Sequence, residues 1–177
     1  MTVHLAATTP TPTAHPPTSV DTTTFKAAFR RHAAGVVIIT ADTGGHPTGF
    51  TATSLASVSL DPPLLSFALA TTASSWPTLA TTPTLVVNFL ADHQHHLATT
   101  FATSGIDRFA APTRWSRLIT GEPTLDDAPS HLRADIIDRH PIGDHHIVIA
   151  HVTHAWTTGD HAPLVYHSGT YGRVQHH

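Results

Sequence analysis

The hydroxyl residues Thr51, Thr53, Ser54, Ser57 and Ser59 crowd into one stretch, "GFTATSLASVSLDPPLL" (49–65), whose apolar residues read as strand. A loop of Thr51, Ala52, Thr53 and Ser54 between two strands exposes backbone N–H groups beside small side chains. That surface suits a flat polar heterocycle, because its edge atoms can approach the backbone closely while hydroxyls supply donors without bulk. Ser57 and Ser59 continue the row. Ser74 and Ser75 precede "WPTL" and stand where a helix would begin, so the unpaired N–H groups there favour a phosphate. Each piece alone is more readily a hydroxyl-rich strand edge and an ordinary N-cap, since Ser is a common cap.

Other chemistry is scarce. The chain has no cysteine, which removes thiol nucleophiles, disulfides and thiolate metal sites together. It has no P-loop lysine and no H-E-x-x-H, and "YHSGT" is not a G-x-S-x-G elbow. Asp126 and Asp127 fall in a polar loop where carboxylates are ordinarily solvated. The 17 histidines raise a metal-binding reading at "DHQHH" (92–96) and "HVTH" (151–154). Their spacing fits no zinc pattern, so we read them as polar surface and expect no metal.

Nine Lys and Arg against 12 Asp and Glu give a net charge of −3 over 177 residues. This excludes the basic surface that nucleic acid needs. No apolar run is long enough to span a bilayer, and the N-terminal segment lacks a cationic start and a continuous apolar core. A cytoplasmic protein without a membrane or nucleic-acid partner is expected.

The elements that must position the hydroxyls follow from pattern. Residues 1–20, rich in Pro and Thr, read as a disordered tail, with one domain over 21–177. Asp21 or a following Thr caps a helix in which Phe25, Ala28, Phe29 and Ala33 recur at helical spacing and are expected to cover a core. "VVIITAD", a "TGGHP" turn and "TGFTAT" form a hairpin. Ala56, Val58 and Leu60 alternate with hydroxyls and are expected to pack inward, until Pro62-Pro63 closes the strand. Further strands follow at 64–70, 84–90 and after Pro129, with short helices at 76 and 92. Such a series predicts a mainly β fold with short helices, closed to remove its edges.

Taken in order, "GFTATSLASVSLDPPLLSFAL", "SSWPTL", "LVVNFL", "DRF", "IGDHHIVIAHV" and "PLVYHSGTY" resemble the flavin reductase family over Phe25 to Val174. The resemblance implies an antiparallel Greek-key split β-barrel that binds FMN or FAD. It is closest to reductase components of two-component flavin-dependent monooxygenases, which reduce free flavin with NADH or NADPH and release it to a partner monooxygenase. By position, Thr51, Ala52, Thr53 and Ser54 would hold the isoalloxazine and ribityl portions, and Ser57, Ser74 and Ser75 the ribityl and phosphate end. Arg108 and Phe109 match the position near the phosphate, and Asn88 matches a family Asn that a strand would bury for structural reasons. His145 would lie where NAD(P)H docks, with Tyr171 lining the same pocket, and a homodimer is implied. Many relatives carry Asn where this chain has Thr53, which offers one hydroxyl in place of a paired amide.

Hydride transfer between two cofactors needs no acid or nucleophile from the protein, which accounts for the missing catalytic motif. The rivals are a non-catalytic flavin carrier, a haem carrier or metal-binding protein, and an oxidase of the same fold that keeps FMN tightly bound. An oxidase acting on a phosphorylated substrate needs more basic residues than this chain has.

Overall fold

The β-branched run at Val36–Ile39 is buried on both faces, and the architecture follows from that. The computed structural model describes residues 19–175; the greater part of the expected tail lies outside them. The elements are α1 (Thr22–Phe29), β1 (Ala34–Gly35), β2 (Val37–Thr43), β3 (His46–Ala52), β4 (Ala56–Leu60), β5 (Pro63–Ala70), α2 (Trp76–Leu79) and β6 (Thr84–Phe89). A 3-10 turn (Asp92–Gln94) leads into α3 (His95–Ala102), then β7 (Trp115–Arg117), β8 (Pro123–Leu125), β9 (Ser130–Ile142), β10 (His145–Thr157), β11 (Leu164–His167) and β12 (Thr170–Arg173).

Seven strands form one antiparallel sheet in the order β3-β2-β6-β9-β10-β5-β4. The chain makes the β2–β3 hairpin at one end and crosses to the β4–β5 hairpin at the other. It returns beside β2 as β6, and β9–β10 then fill the middle, a Greek-key path. Phe50 on β3 and Phe67 on β5 lie with ring centroids 5.9 Å apart, so the two ends of the sheet curl until they face each other across the interior. Three residues, Thr53–Leu55, join the edge strands there. This is the split barrel that the sequence predicts. Val37, Ile39, Phe50, Phe67, Leu85, Val87 and Val148 fill the interior. Val36 and Ile38, pointing the other way, join Leu97, Phe101, Leu125 and Leu164 in a second core under α3. No described helix is long and apolar enough to cross a membrane.

Asn88, fully buried on β6, joins the two cores. Its amide donates to Ile38 O at 2.9 Å and to the Thr40 hydroxyl at 3.1 Å, while its oxygen accepts from Leu125 N at 2.9 Å. The side chain thereby fastens β8 to β2 and β6, the structural role expected of it.

Two packing expectations fail. Helix α1 buries no residue, and Phe25 and Phe29 pack on each other in a tilted pair, centroids 4.7 Å apart, with more than half of their surface exposed. The barrel interior is already closed by strands, so α1 has no core to cover and instead rims a cavity. On β4, Ala56, Val58 and Leu60 are exposed. The register of β4 against β5 slips between Ser57 and Ser59, and a bulge of this kind turns an edge strand out of its alternation.

His131 on β9 is 3% exposed and stacks on Trp156 with centroids 4.8 Å apart. Its Nε2 lies 3.0 Å from Leu125 O. A carbonyl only accepts, so Nε2 carries the proton and Nδ1 is bare, without a partner. Burial pushes the pKa of this imidazole down, against smaller opposing effects of Leu125 O and Asp126. An unfolded histidine takes up a proton near pH 6.5, so the stability that neutral His131 confers is full above that value. It is lost as pH falls through the lowered folded value. In urea titrations, wild type should lose stability relative to His131→Gln as pH drops below about 6.5, the other histidines cancelling in the difference. A pH-independent difference would contradict this assignment.

Candidate functional site

Over seven residues, β5 and the loop after it bring together four of the predicted site residues, Ser54, Ser74, Arg108 and His145. Ser54 accepts from Ala68 N at 3.0 Å and donates to Ala68 O at 3.2 Å, which fixes the Thr53–Leu55 connection to β5. His145 is the register partner of Ala70. Thr71 donates through both its backbone N (3.0 Å) and its hydroxyl (3.1 Å) to Asp144 O. Ser74 meets Arg108, whose Nη1 lies 3.3 Å from the serine hydroxyl. Ser54 of the Thr53–Leu55 connection, the Gly143-Asp144 turn and the Arg108 loop therefore meet one ribbon of chain, Ala68–Ser74.

Arg108 is held by a fork. Nε donates to Thr103 O and Nη1 to Gly49 O, each at 3.0 Å, so a single guanidinium joins the end of α3, strand β3 and the β5–α2 loop. Partial burial lowers its pKa, but a guanidinium keeps its charge in proteins. Phe109 is turned away. Its ring packs edge-on against Phe101 (5.2 Å) and Trp115 (5.1 Å), and its carbonyl accepts from Trp115 Nε1 at 3.0 Å. What Phe109 offers the site is the position of Arg108.

The remaining predicted residues divide by location. The Thr51 hydroxyl is taken up by Ala98 O on α3 at 2.6 Å, and Ala52 packs into the barrel. Thr53 is exposed and makes no side-chain hydrogen bond among the described residues. Ser57 is exposed on β4, whereas Ser75 is buried at the N-cap of α2 without a side-chain capping bond. Helix α2 is only four residues long, so the positive charge at this end comes from Arg108 and not from a helix dipole. At the turn, His145 Nδ1 lies 2.7 Å from Asp144 Oδ1, and this hydrogen bond holds the Asp144 carboxyl below its usual range. The adjacent His146 stacks on Trp76 at 3.6 Å, which seats the turn against α2.

Tyr171 stands on the second core with its ring 5.3 Å from Tyr166, and burial raises its phenol pKa, as does the neighbouring Tyr166. Tyr166, not Tyr171, shares a cavity of about 590 Å³ with Thr53, Ser54, Leu55 and the α1 residues Phe25 and Phe29. Sequence reasoning assigned neither Tyr166 nor α1 to the site. The available signal was the two-residue Ser168-Gly169 turn, both residues at positive φ (52° and 88°), which sets Tyr166 opposite Tyr171 in register. Among the described residues no group of three or more His, Asp or Glu side chains is placed to hold a metal.

Residues 29–175 match the family described as flavin reductase like domain. The chain belongs to this family. It is 48% identical over 153 residues to an NADH:FMN oxidoreductase of Rhodococcus qingshengii, covering 84% of this chain and 80% of that one. It is 29% identical over 157 residues to the reductase subunit of a flavin-dependent monooxygenase of Rhodococcus jostii, covering 89% and 80%. The crystal structure of a flavin reductase domain protein from an Arthrobacter species superposes with a TM-score of 0.82 at 39% identity, over 86% of this chain and 95% of that one.

The residues brought together here are of the kind that would hold a flavin: small hydroxyl side chains and one cation. Thr53 and Ser54 line the cavity, and Arg108 meets the Ser74 hydroxyl at the far end of the Ala68–Ser74 ribbon. Close approach at Gly49 is obligatory: a Cβ there would stand 2.7 Å from Phe101 Cε1 and 3.2 Å from Ile39 O. Gly49→Ala should therefore displace either α3 or β3, destabilising the fold by about 1–3 kcal/mol and weakening FMN binding through the shifted Arg108 anchor. Melting curves and a fluorescence titration with FMN check this; wild-type values for both would show that Phe101 yields freely.

Proposed function

We propose that this flavin reductase holds its flavin along the Ala68–Ser74 ribbon and receives NADH at the His145 turn. The observation that carries the reading is the convergence of Ser54, His145 and Arg108 on those seven residues. The 48% identical NADH:FMN oxidoreductase supports both the acceptor and the donor, with FAD the alternative acceptor and NADPH the alternative donor.

The bound nicotinamide and flavin supply the hydride chemistry themselves. The protein's residues bind and orient. Arg108, already fixed by two backbone carbonyls, sets a charge for the flavin phosphate with Ser74 beside it. Thr53 offers its hydroxyl and the loop backbone to the ring edge. Asp144 only accepts, so His145 donates from Nδ1 and keeps Nε2 free, in the neutral ring, to accept from the nicotinamide carboxamide. No protein group transfers a proton. His145→Ala should raise the KM for NADH about tenfold, the effect of one lost hydrogen-bonded contact in binding, and leave the KM for flavin unchanged. Purified protein with NADH and added FMN or FAD should oxidise NADH only when flavin is supplied. Flavin that co-purifies with no oxidation of NADH or NADPH would establish a carrier instead, and oxygen-dependent turnover of a bound FMN an oxidase.

The monooxygenase reductase subunit among its relatives supports delivery of reduced flavin to a separate monooxygenase. We also read the chain as a homodimer, with edge strand β4 as the face offered to a second copy, since Val58 is 54% and Leu60 89% exposed there. Light scattering should give twice the 18.9 kDa of one chain, and Val58→Lys with Leu60→Lys should halve it. A wild-type mass of a single chain would rule this out.

A further inference from the structure

Ser74, beside Arg108, and the turn at His145 belong to separate elements that one pair of stacked rings joins. Trp76 of α2 and His146 of β10 lie with ring centroids 3.6 Å apart and planes inclined by 13°. The imidazole has no other specific hold. Its Nδ1 is buried without a partner, and none of the histidine hydrogen bonds among the described residues involves it. The direction of this ring is therefore set by Trp76.

Each ring is tied closely to one end of the candidate site. Trp76 N donates to Ala73 O at 2.9 Å and Ala73 N to Ala70 O at 3.0 Å, two successive turns that enclose Ser74, so the indole and Ser74 move together. On β10, His145 and His146 are adjacent and leave opposite faces of the strand. Thr71 fixes Asp144 on one side of His145, and the stack fixes His146 on the other. The far end of α2 is gripped by the same hairpin: Arg139 on β9 donates from Nε to Leu79 O at 2.6 Å and from Nη2 to Thr82 O. A helix of four residues has little stability of its own, so α2 sits where β9 and β10 hold it.

Resting on the reading that a flavin lies along Ala68–Ser74 and NADH docks at His145, we propose that Trp76 and His146 are positioning residues for hydride transfer. Their stack sets the distance between the two anchors without touching either cofactor. Transfer needs the reacting atoms about 3–3.5 Å apart, and a misplacement of about 1 Å costs about 100-fold in rate. A similar stack, Trp156 on His131 with centroids 4.8 Å apart, stands at the other end of β10 and serves as the internal control.

Anaerobic stopped-flow mixing of the full chain with saturating FMN and NADH reads the rate of NADH oxidation, and steady-state titrations read the two KM values. Trp76→Leu and His146→Ala should each slow the rate about 10–100-fold, more than they raise either KM. The double variant should be no slower than the slower single one, because both changes remove the same contact. Trp76→Phe and His146→Phe keep two stacked rings and should keep the wild-type rate. Trp156→Leu should lower the melting temperature without slowing the reaction. A wild-type rate in Trp76→Leu or His146→Ala, losses that multiply in the double variant, the same loss in the two phenylalanine variants, or an equal loss in Trp156→Leu would each overturn the proposal. The underlying reading fails separately. A KM for NADH unmoved by His145→Ala would refute the placement of the donor, whereas a raised one beside a wild-type rate in Trp76→Leu would refute the positioning pair alone.

Discussion

Phe50 and Phe67 meet inside the barrel, 5.9 Å apart, although they belong to strands near opposite ends of a seven-stranded sheet. That contact is the constraint on which the rest depends. Burying both rings requires the sheet to curl, and the curl brings β3 and β4 close enough for three residues to bridge them. The bridge is short, and Ser54 fastens it to β5 by exchanging two hydrogen bonds with Ala68. A flat sheet would have separated Thr53 from the β5–α2 loop by the width of the domain.

A second constraint sits outside the barrel. Strand β2 has apolar residues on both faces, so the outer face needs its own cover, and α3 supplies it through Leu97, Ala98 and Phe101. Gly49 permits the approach, since any side chain there would strike Phe101. The close approach in turn lets Arg108, just beyond α3, reach Gly49 O and Ser74 together. The packing of an ordinary amphipathic helix thus brings a charged group to the candidate site, and Phe109 anchors it through edge-on contacts with Phe101 and Trp115. The proposed binding residues are by-products of two cores that fit.

How much of this was legible beforehand varies with the physics of each element. The barrel strands were readable because β-branched runs and turn residues mark them locally: "GG" between β2 and β3 adopts positive φ at both positions, as a two-residue hairpin requires. The buried role of Asn88 followed from an amide on an otherwise apolar strand. The α1 helix was found but misplaced, because helical spacing of Phe25 and Phe29 reports amphipathicity and not what the apolar face meets. On β4, alternation suggested a buried face, yet an edge strand with a bulge escapes the pattern. Tyr166 and Tyr171 could not be ranked by sequence, since both lie on one face of a hairpin whose placement depends on β1, far away in the chain.

The sequence by itself determined which residue types could serve: small hydroxyl residues in one loop, a lone arginine before an aromatic, a histidine in a Gly-Asp turn, and no cysteine or carboxylate cluster for other chemistry. Those are properties of composition and neighbouring positions. The tertiary structure decided which of them share a surface. Gly49 and Arg108 are 59 positions apart, and Arg30 and Ser168 138 apart, and no local pattern encodes such pairings. They arise when hydrophobic burial, which is indifferent to direction, closes the sheet on itself and leaves the polar groups wherever the ends meet.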